Sequence, residues 1–183
     1  MRIAFAPAAT YREFLALDGQ VGWLRALERP AFVMFLIGTL VSIAATGRVS
    51  FGLVGSTAIA WSFAVALQLA LGAILIASAP AGRPRLLRAL DLWFAGHLPW
   101  SLWFLLATLI VVLVPSAPLG PILASTLLAM AWTAAIAAAF CRTVLGTTRQ
   151  GSWLRAAIHQ VLMLVLVLSY VAWSAGGWFR LMP

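Results

Sequence analysis

GLVGSTAIAWSFAVALQLALGAILIAS, residues Gly52–Ser78, runs without a charged side chain. A helix needs about 20 apolar residues to cross the ~30 Å hydrocarbon core of a bilayer, and this stretch exceeds that with room to tilt. Lipid offers no partner to an open strand edge, so an apolar run of this length reads as a helix. Outward from it lie four more such runs, giving spans at about 30–46, 52–78, 98–114, 121–140 and 153–175. The first is short and sits behind Pro30, a residue suited to a first helical position, and a helix starting near Val21 would lengthen it. The predicted fold class is an all-α integral membrane protein, a five-transmembrane-helix bundle with short loops and amphipathic interfacial segments. It forms one membrane domain, 1–183, with 1–29 as a cytoplasmic or interfacial N-terminus.

Composition agrees. The chain is 64% hydrophobic and 9% charged, with a mean hydropathy of +1.05; a soluble domain carries about 25% charged residues. The net charge of +8 would suit nucleic acid. The arginines flank apolar spans, however, and no soluble domain is left to carry a basic patch, so no nucleic-acid partner is expected. All basic residues are arginine and alanine is abundant, which points to a bacterial chain. The first twenty residues hold Arg2, Arg12, Glu13 and Asp18 with no continuous apolar core, so no cleaved signal peptide is expected. Cys141 is the lone cysteine and has no partner for an intramolecular disulfide.

The charges fall into alternate gaps. Arg2, Arg12, Arg25 and Arg29 precede the first span. Arg83, Arg85 and Arg88 lie in the second loop, and Arg142, Arg149 and Arg155 lie in or beside the fourth. Only Arg48 and Arg180 fall on the other side, and all four acids join the majority. By the positive-inside rule this places the protein in the bacterial inner membrane with a cytoplasmic N-terminus and a periplasmic C-terminus. Two segments on the charged side look amphipathic. Val21, Leu24 and Leu27 recur in Asp18–Arg29, and Leu86, Leu87, Leu90 and Phe94 form a stripe in Arg83–Phe94. Such helices are expected to lie in the headgroup region, apolar face down. Small residues at every fourth position mark expected helix contacts, Ser62, Ala66 and Ala70 in the second span and Ala131, Ala135 and Ala139 in the fourth.

Polar groups inside a membrane are costly, so each needs a reason. Gln68 is near the centre of the second span, where an interhelical hydrogen bond would satisfy it. His159 and Gln160 lie two turns into the fifth span, with Arg155 one turn before His159 on the same face. His97 precedes the third span. These two histidines are the chain's full complement, so a b-type haem clamped by two imidazoles would have to use both. No His-Glu-x-x-His motif, paired intramembrane carboxylates or nucleophile motif appears. No catalytic residue, metal or cofactor is therefore expected. Arg83, Arg85, Arg88, Arg142, Arg149 and Arg155 are the candidates for contact with anionic lipid or a partner. The leading expectation is a non-enzymatic scaffold or accessory subunit that packs against other membrane proteins or itself. A haem anchor using His97 and His159 and a small-solute or lipid transporter are the alternatives.

From about Tyr11 to Gly177 the layout resembles the Yip1-like family of small five-span membrane proteins. The resemblance is carried by Glu28-Arg29-Pro30 before the first span and by the amphipathic approach Arg85-Leu-Leu-Arg-Ala-Leu-Asp-Leu-Trp-Phe-Ala-Gly-His-Leu-Pro99-Trp100 to the third. The polar turn Thr147-Thr-Arg-Gln-Gly-Ser-Trp-Leu-Arg-Ala-Ala157 before the last completes it. The Asp-Leu-Tyr-Gly-Pro motif of eukaryotic members is absent, so their binding of Rab GTPases is not carried over. The resemblance implies a membrane-embedded scaffold with no catalytic residues to transfer.

Overall fold

The computed structural model describes residues 2–17, 22–79, 85–114 and 116–181. Among these, every regular element is a helix: α1 (Arg2–Phe5), α2 (Pro7–Ala16), α3 (Trp23–Thr46), α4 (Phe51–Ala77), α5 (Leu86–Ala95), α6 (Leu98–Leu113), α7 (Leu119–Ala124), α8 (Thr126–Thr143) and α9 (Arg149–Leu181). Four helical stretches are long and apolar enough to cross a membrane: Leu24–Thr46, Phe51–Ala77, Gly120–Thr143 and Arg149–Tyr170. The protein is thus all-helical, with four membrane-spanning candidates. At 16 residues α6 covers about 24 Å, short of the hydrocarbon thickness.

The first long helix starts well before Pro30, which lies inside α3. The preceding residues are good helix formers (Leu24, Arg25, Ala26, Leu27, Glu28). Proline removes one backbone donor, but Arg29 beside it is held by α5, so the turn persists. Gly47 closes α3 in the left-handed region, φ 69°, with its N–H on the Ile43 carbonyl at 2.8 Å. Ser42, fully buried, fixes the turn into α4: its hydroxyl donates to the Arg48 carbonyl at 3.1 Å and accepts from the Ser50 N–H at 2.8 Å. The fourth predicted span is broken at Ser125, whose hydroxyl accepts from Trp103 Nε1 at 2.8 Å and so ties the break to α6. Thr148 caps α9, its hydroxyl accepting the Gly151 N–H at 3.1 Å, which is why that helix begins before Trp153.

α3 packs on α4 and α8 on α9 as antiparallel pairs, and α6 lies against both α3 and α8. The α3–α4 contact is backbone-close at Gly38, where an added Cβ would sit 2.6 Å from the Val54 carbonyl oxygen. Gly38→Ala is expected to cost about 1–3 kcal/mol by forcing the helices apart. Gly52→Ala, which meets open space, should change stability by less than about 0.5 kcal/mol. Unfolding of both variants in detergent checks this. The predicted Ser62, Ala66 and Ala70 stripe, by contrast, faces outward. Alanine abundance made that pattern uninformative, and glycine marks the real approach.

The most buried side chains gather at one end of the bundle. Tyr11 of α2, Ile76 of α4, Trp93 of α5, Phe140 and Cys141 of α8 and Ala156 of α9 belong to a single cluster. The second amphipathic segment therefore departs from its predicted place. In α5, Ala89 to Phe94 are all buried, enclosed by α3, α4 and α8 rather than resting one face on lipid. Asp18, Val21 and Arg83, on which parts of the sequence reading rest, lie outside the described residues.

Candidate functional site

A cavity of about 750 Å³ opens between α3, α4, the α5–α6 junction and α9. Its mouth holds Arg25, Glu28 and Arg29 from the first turns of α3, together with Asp91 of α5. Ile37, about 12 Å along α3 from Arg29, also lines the cavity, as do Val65 of α4 and Val167 of α9. Phe32 of α3 and Leu164 of α9 line the cavity and are also exposed, at 64% and 42%.

The mouth is built on an ion cluster. Asp91, its side chain 6% exposed, receives Arg29 at 3.2 Å and Arg88 at 3.6 Å. Arg29 Nη1 also donates to the Asp91 carbonyl at 2.7 Å, and Arg88 Nη2 reaches the Phe14 and Leu17 carbonyls. The Asp91 cluster thus joins α2, α3 and α5. Arg155 makes a second tie, donating to the hydroxyl and carbonyl of Ser78 at the end of α4. Of the arginines predicted to meet lipid or a partner, Arg88 and Arg155 spend their donors inside the fold. Arg85, Arg142 and Arg149 are exposed, and Arg83 lies outside the described residues.

Both histidines reach the same cavity, His159 from α9 and His97 from the α5–α6 junction. Trp93 lies edge-on to each, with ring centroids 5.2 Å from His97 and 4.7 Å from His159. His97 Nδ1 is 3.1 Å from the Trp93 carbonyl, a bond only an Nδ1–H can donate, which leaves Nε2 bare. Burial holds the His97 imidazole well below its ordinary pKa, with the bond to the Trp93 carbonyl working the other way. His159 is 4% exposed, and both of its ring nitrogens are buried with no hydrogen-bond partner. Gln160, 8% exposed, and Gln68 line the same space.

Comparison with protein-family models, curated proteins and solved structures finds no match.

The site therefore stands on its geometry. An unpaired buried polar group costs about 1–3 kcal/mol, and the two ring nitrogens of His159 are such groups in a residue that borders the cavity. Gln68, His97, His159 and Gln160, each singled out from the sequence, are brought together here. The sequence reading missed the Asp91 cluster and the role of Trp93, whose segment Arg83–Phe94 it placed in the headgroup region. Asp91 three residues after Arg88 was the available signal, and nothing local indicated that Arg29, far away in sequence, completes it. Among the described residues no three His, Cys, Asp or Glu side chains gather as a metal-ligand set.

Proposed function

We propose that this chain is a non-enzymatic, five-span inner-membrane protein of Yip1-like layout, and that its work is to hold a lipid-like molecule inside the bundle. α6 is the fifth crossing in this reading, with the N-terminus cytoplasmic. The carrying observation is the cavity itself, whose mainly apolar walls, with Phe32 and Leu164 also exposed, include the polar side chains Gln68, His97, His159 and Gln160. Its volume is in the usual range for a small-molecule site, about 300–1,000 Å³, and such sites combine apolar walls with a few convergent polar groups. Gln68 borders this space, as a lipid-handling reading requires. The scaffold expectation then takes the form of an accessory subunit that keeps its lipid available to a neighbouring membrane protein.

The test is the protein's own cargo. Purified in mild detergent and extracted with organic solvent, it is expected to yield one lipid class near 1:1, enriched over bulk membrane. Ala64 lines the cavity, and Ala64→Trp should cut that yield at least about fivefold by filling the site, with an unchanged gel-filtration profile. Absence of any enriched lipid in the wild type would overturn the proposal. A second reading rests on the two histidines sharing one cavity: they would be axial ligands of a b-type haem. The same preparation decides this, because a Soret band would replace lipid with haem as the occupant.

A further inference from the structure

We propose that the occupant is a single-chain lipid with an anionic head, a free fatty acid, its carboxylate at Arg25 and Arg29 and its chain along α3. This rests on the reading of the cavity as a lipid site and names the class of lipid.

The head belongs at the charged mouth. The ring nitrogens of His159 are enclosed and out of a ligand's reach. The charged groups on the cavity wall are Arg25, Glu28 and Arg29 of α3 and Asp91 of α5, with Arg25 and Glu28 exposed. Arg88 joins them from behind. Three guanidinium groups, Arg25, Arg29 and Arg88, therefore stand against two carboxylates, Glu28 and Asp91. Asp91 is shared between Arg29 and Arg88, which leaves one positive charge in excess at this end. A head with a single negative charge closes that count, and a neutral head leaves it open.

The unused donors have a matching shape. Arg29 is tied to α5 through Nη1 alone, which meets the Asp91 carboxylate at 3.2 Å and the Asp91 carbonyl at 2.7 Å. Its Nε–H and Nη2–H groups make no hydrogen bond among the described residues. A guanidinium presents these as a side-on fork that suits the two oxygens of a carboxylate. Because Nη1 is already held, less side-chain freedom is lost when a ligand arrives. Arg25 is one helical turn earlier on the same face of α3, and it has no ion-pair partner among the described residues.

The rest of the lining suits a flexible chain. Beyond the charged turns, Val33 and Ile37 of α3 and Val167 of α9 line the cavity. So do Met34, Met130 and Met163, unbranched side chains that adapt to a mobile neighbour. A volume of about 750 Å³ takes one acyl chain and a small head, and a two-chain phospholipid exceeds it.

The experiment uses the full chain in dodecyl maltoside at mildly alkaline pH, where the carboxylate is ionised, and follows tritiated palmitate by scintillation proximity. Methyl palmitate has the same chain and no charge. Acetate has the head and no chain, and dioleoylphosphatidylglycerol has two chains. The expected result is saturable 1:1 binding of palmitate. Methyl palmitate should compete at least about tenfold more weakly, the worth of one charge-assisted hydrogen bond. Neither acetate nor phosphatidylglycerol should compete at tenfold excess. Arg25→Gln is expected to weaken binding about fivefold with an unchanged melting temperature, because Arg25 ties no element to another. Arg29→Lys keeps the charge beside Asp91 but loses the fork, and should weaken binding about tenfold. Glu28→Gln removes a like charge from the mouth and should tighten binding about threefold. A damaged fold does not give such a gain. Palmitate matched by methyl palmitate, or indifferent to both Arg25→Gln and Glu28→Gln, overturns the anionic head and leaves the lipid site standing. Phosphatidylglycerol competing as well as palmitate overturns the single chain. No binding of any chain-bearing probe overturns both readings.

Discussion

Asp91→Ala is expected to lower the unfolding free energy by about 3–5 kcal/mol, the usual cost of breaking a buried ion pair from one side. The carboxylate is nearly enclosed and faces two guanidinium groups. Removing it leaves Arg88, 18% exposed, with a buried positive charge and no counterion. Arg29 is 42% exposed and is screened by solvent, so its share is the smaller one. The carboxylate's own pairing with α3 is also lost, which loosens the mouth of the cavity. Thermal unfolding in detergent, followed by tryptophan fluorescence, gives the measurement. The sharper comparison is Asp91→Leu combined with Arg88→Leu. Taking out both charges should return a good part of the loss, because an apolar pair of similar volume often replaces a buried ion pair at little cost. A loss under about 1 kcal/mol for Asp91→Ala would mean that the cluster is solvated and does not hold α5 in place.

The same cluster shows where sequence reading stops. The long apolar runs were legible because the bilayer requires length and apolarity and little else. α4 lies within a residue of its predicted bounds, as does α6. The break at Ser125 was not legible, because it depends on Trp103 arriving from another helix. The stripe in α5 was visible, but an amphipathic helix reads the same whether its apolar face meets lipid or protein. Only the approach of Arg29 and the burial of Trp93 distinguish the two. Of the candidate site, the residue types were legible and their meeting was not. His97 and His159 are 62 positions apart by number, and both reach one cavity, His97 standing just after Gly96 at the end of α5. There an added Cβ would strike the Tyr11 hydroxyl at 2.7 Å. The N-terminal helices were the largest surprise. A segment carrying Arg2, Arg12 and Glu13 and no apolar run folds onto α8, with Trp132 Nε1 donating to the Ala4 carbonyl at 2.8 Å.

Phe140→Ala is expected to cost about 3–5 kcal/mol, the range for truncating a fully buried phenylalanine. Its ring is the joint between three elements. It meets Tyr11 of α2 edge-on at 5.6 Å and Trp93 of α5 edge-on at 5.2 Å, and has no exposed surface. Tyr11 is itself fully buried with its hydroxyl unpartnered, and burial pushes its phenol pKa up. Such a hydroxyl gives α2 no directional anchor, so α2 depends on ring packing and on Arg88. Truncating Phe140 should therefore release the N-terminal helices before the long helices separate. Trypsin is the direct probe. Arg12 is exposed on α2, and cleavage there is expected to rise at least about tenfold in Phe140→Ala and little in Phe140→Leu, which refills most of the volume. Ile3 of α1 and Phe14 of α2 are also walls of the cavity mouth. The same variant should then lose its bound lipid, although Phe140 does not line the cavity. If the N-terminus stays protected and the lipid stays bound, the mouth is closed by the Asp91 cluster alone. If both are lost together, the buried end of the bundle and the lipid site form one cooperative unit, and the clustering of the best-packed side chains at that end has a functional reason.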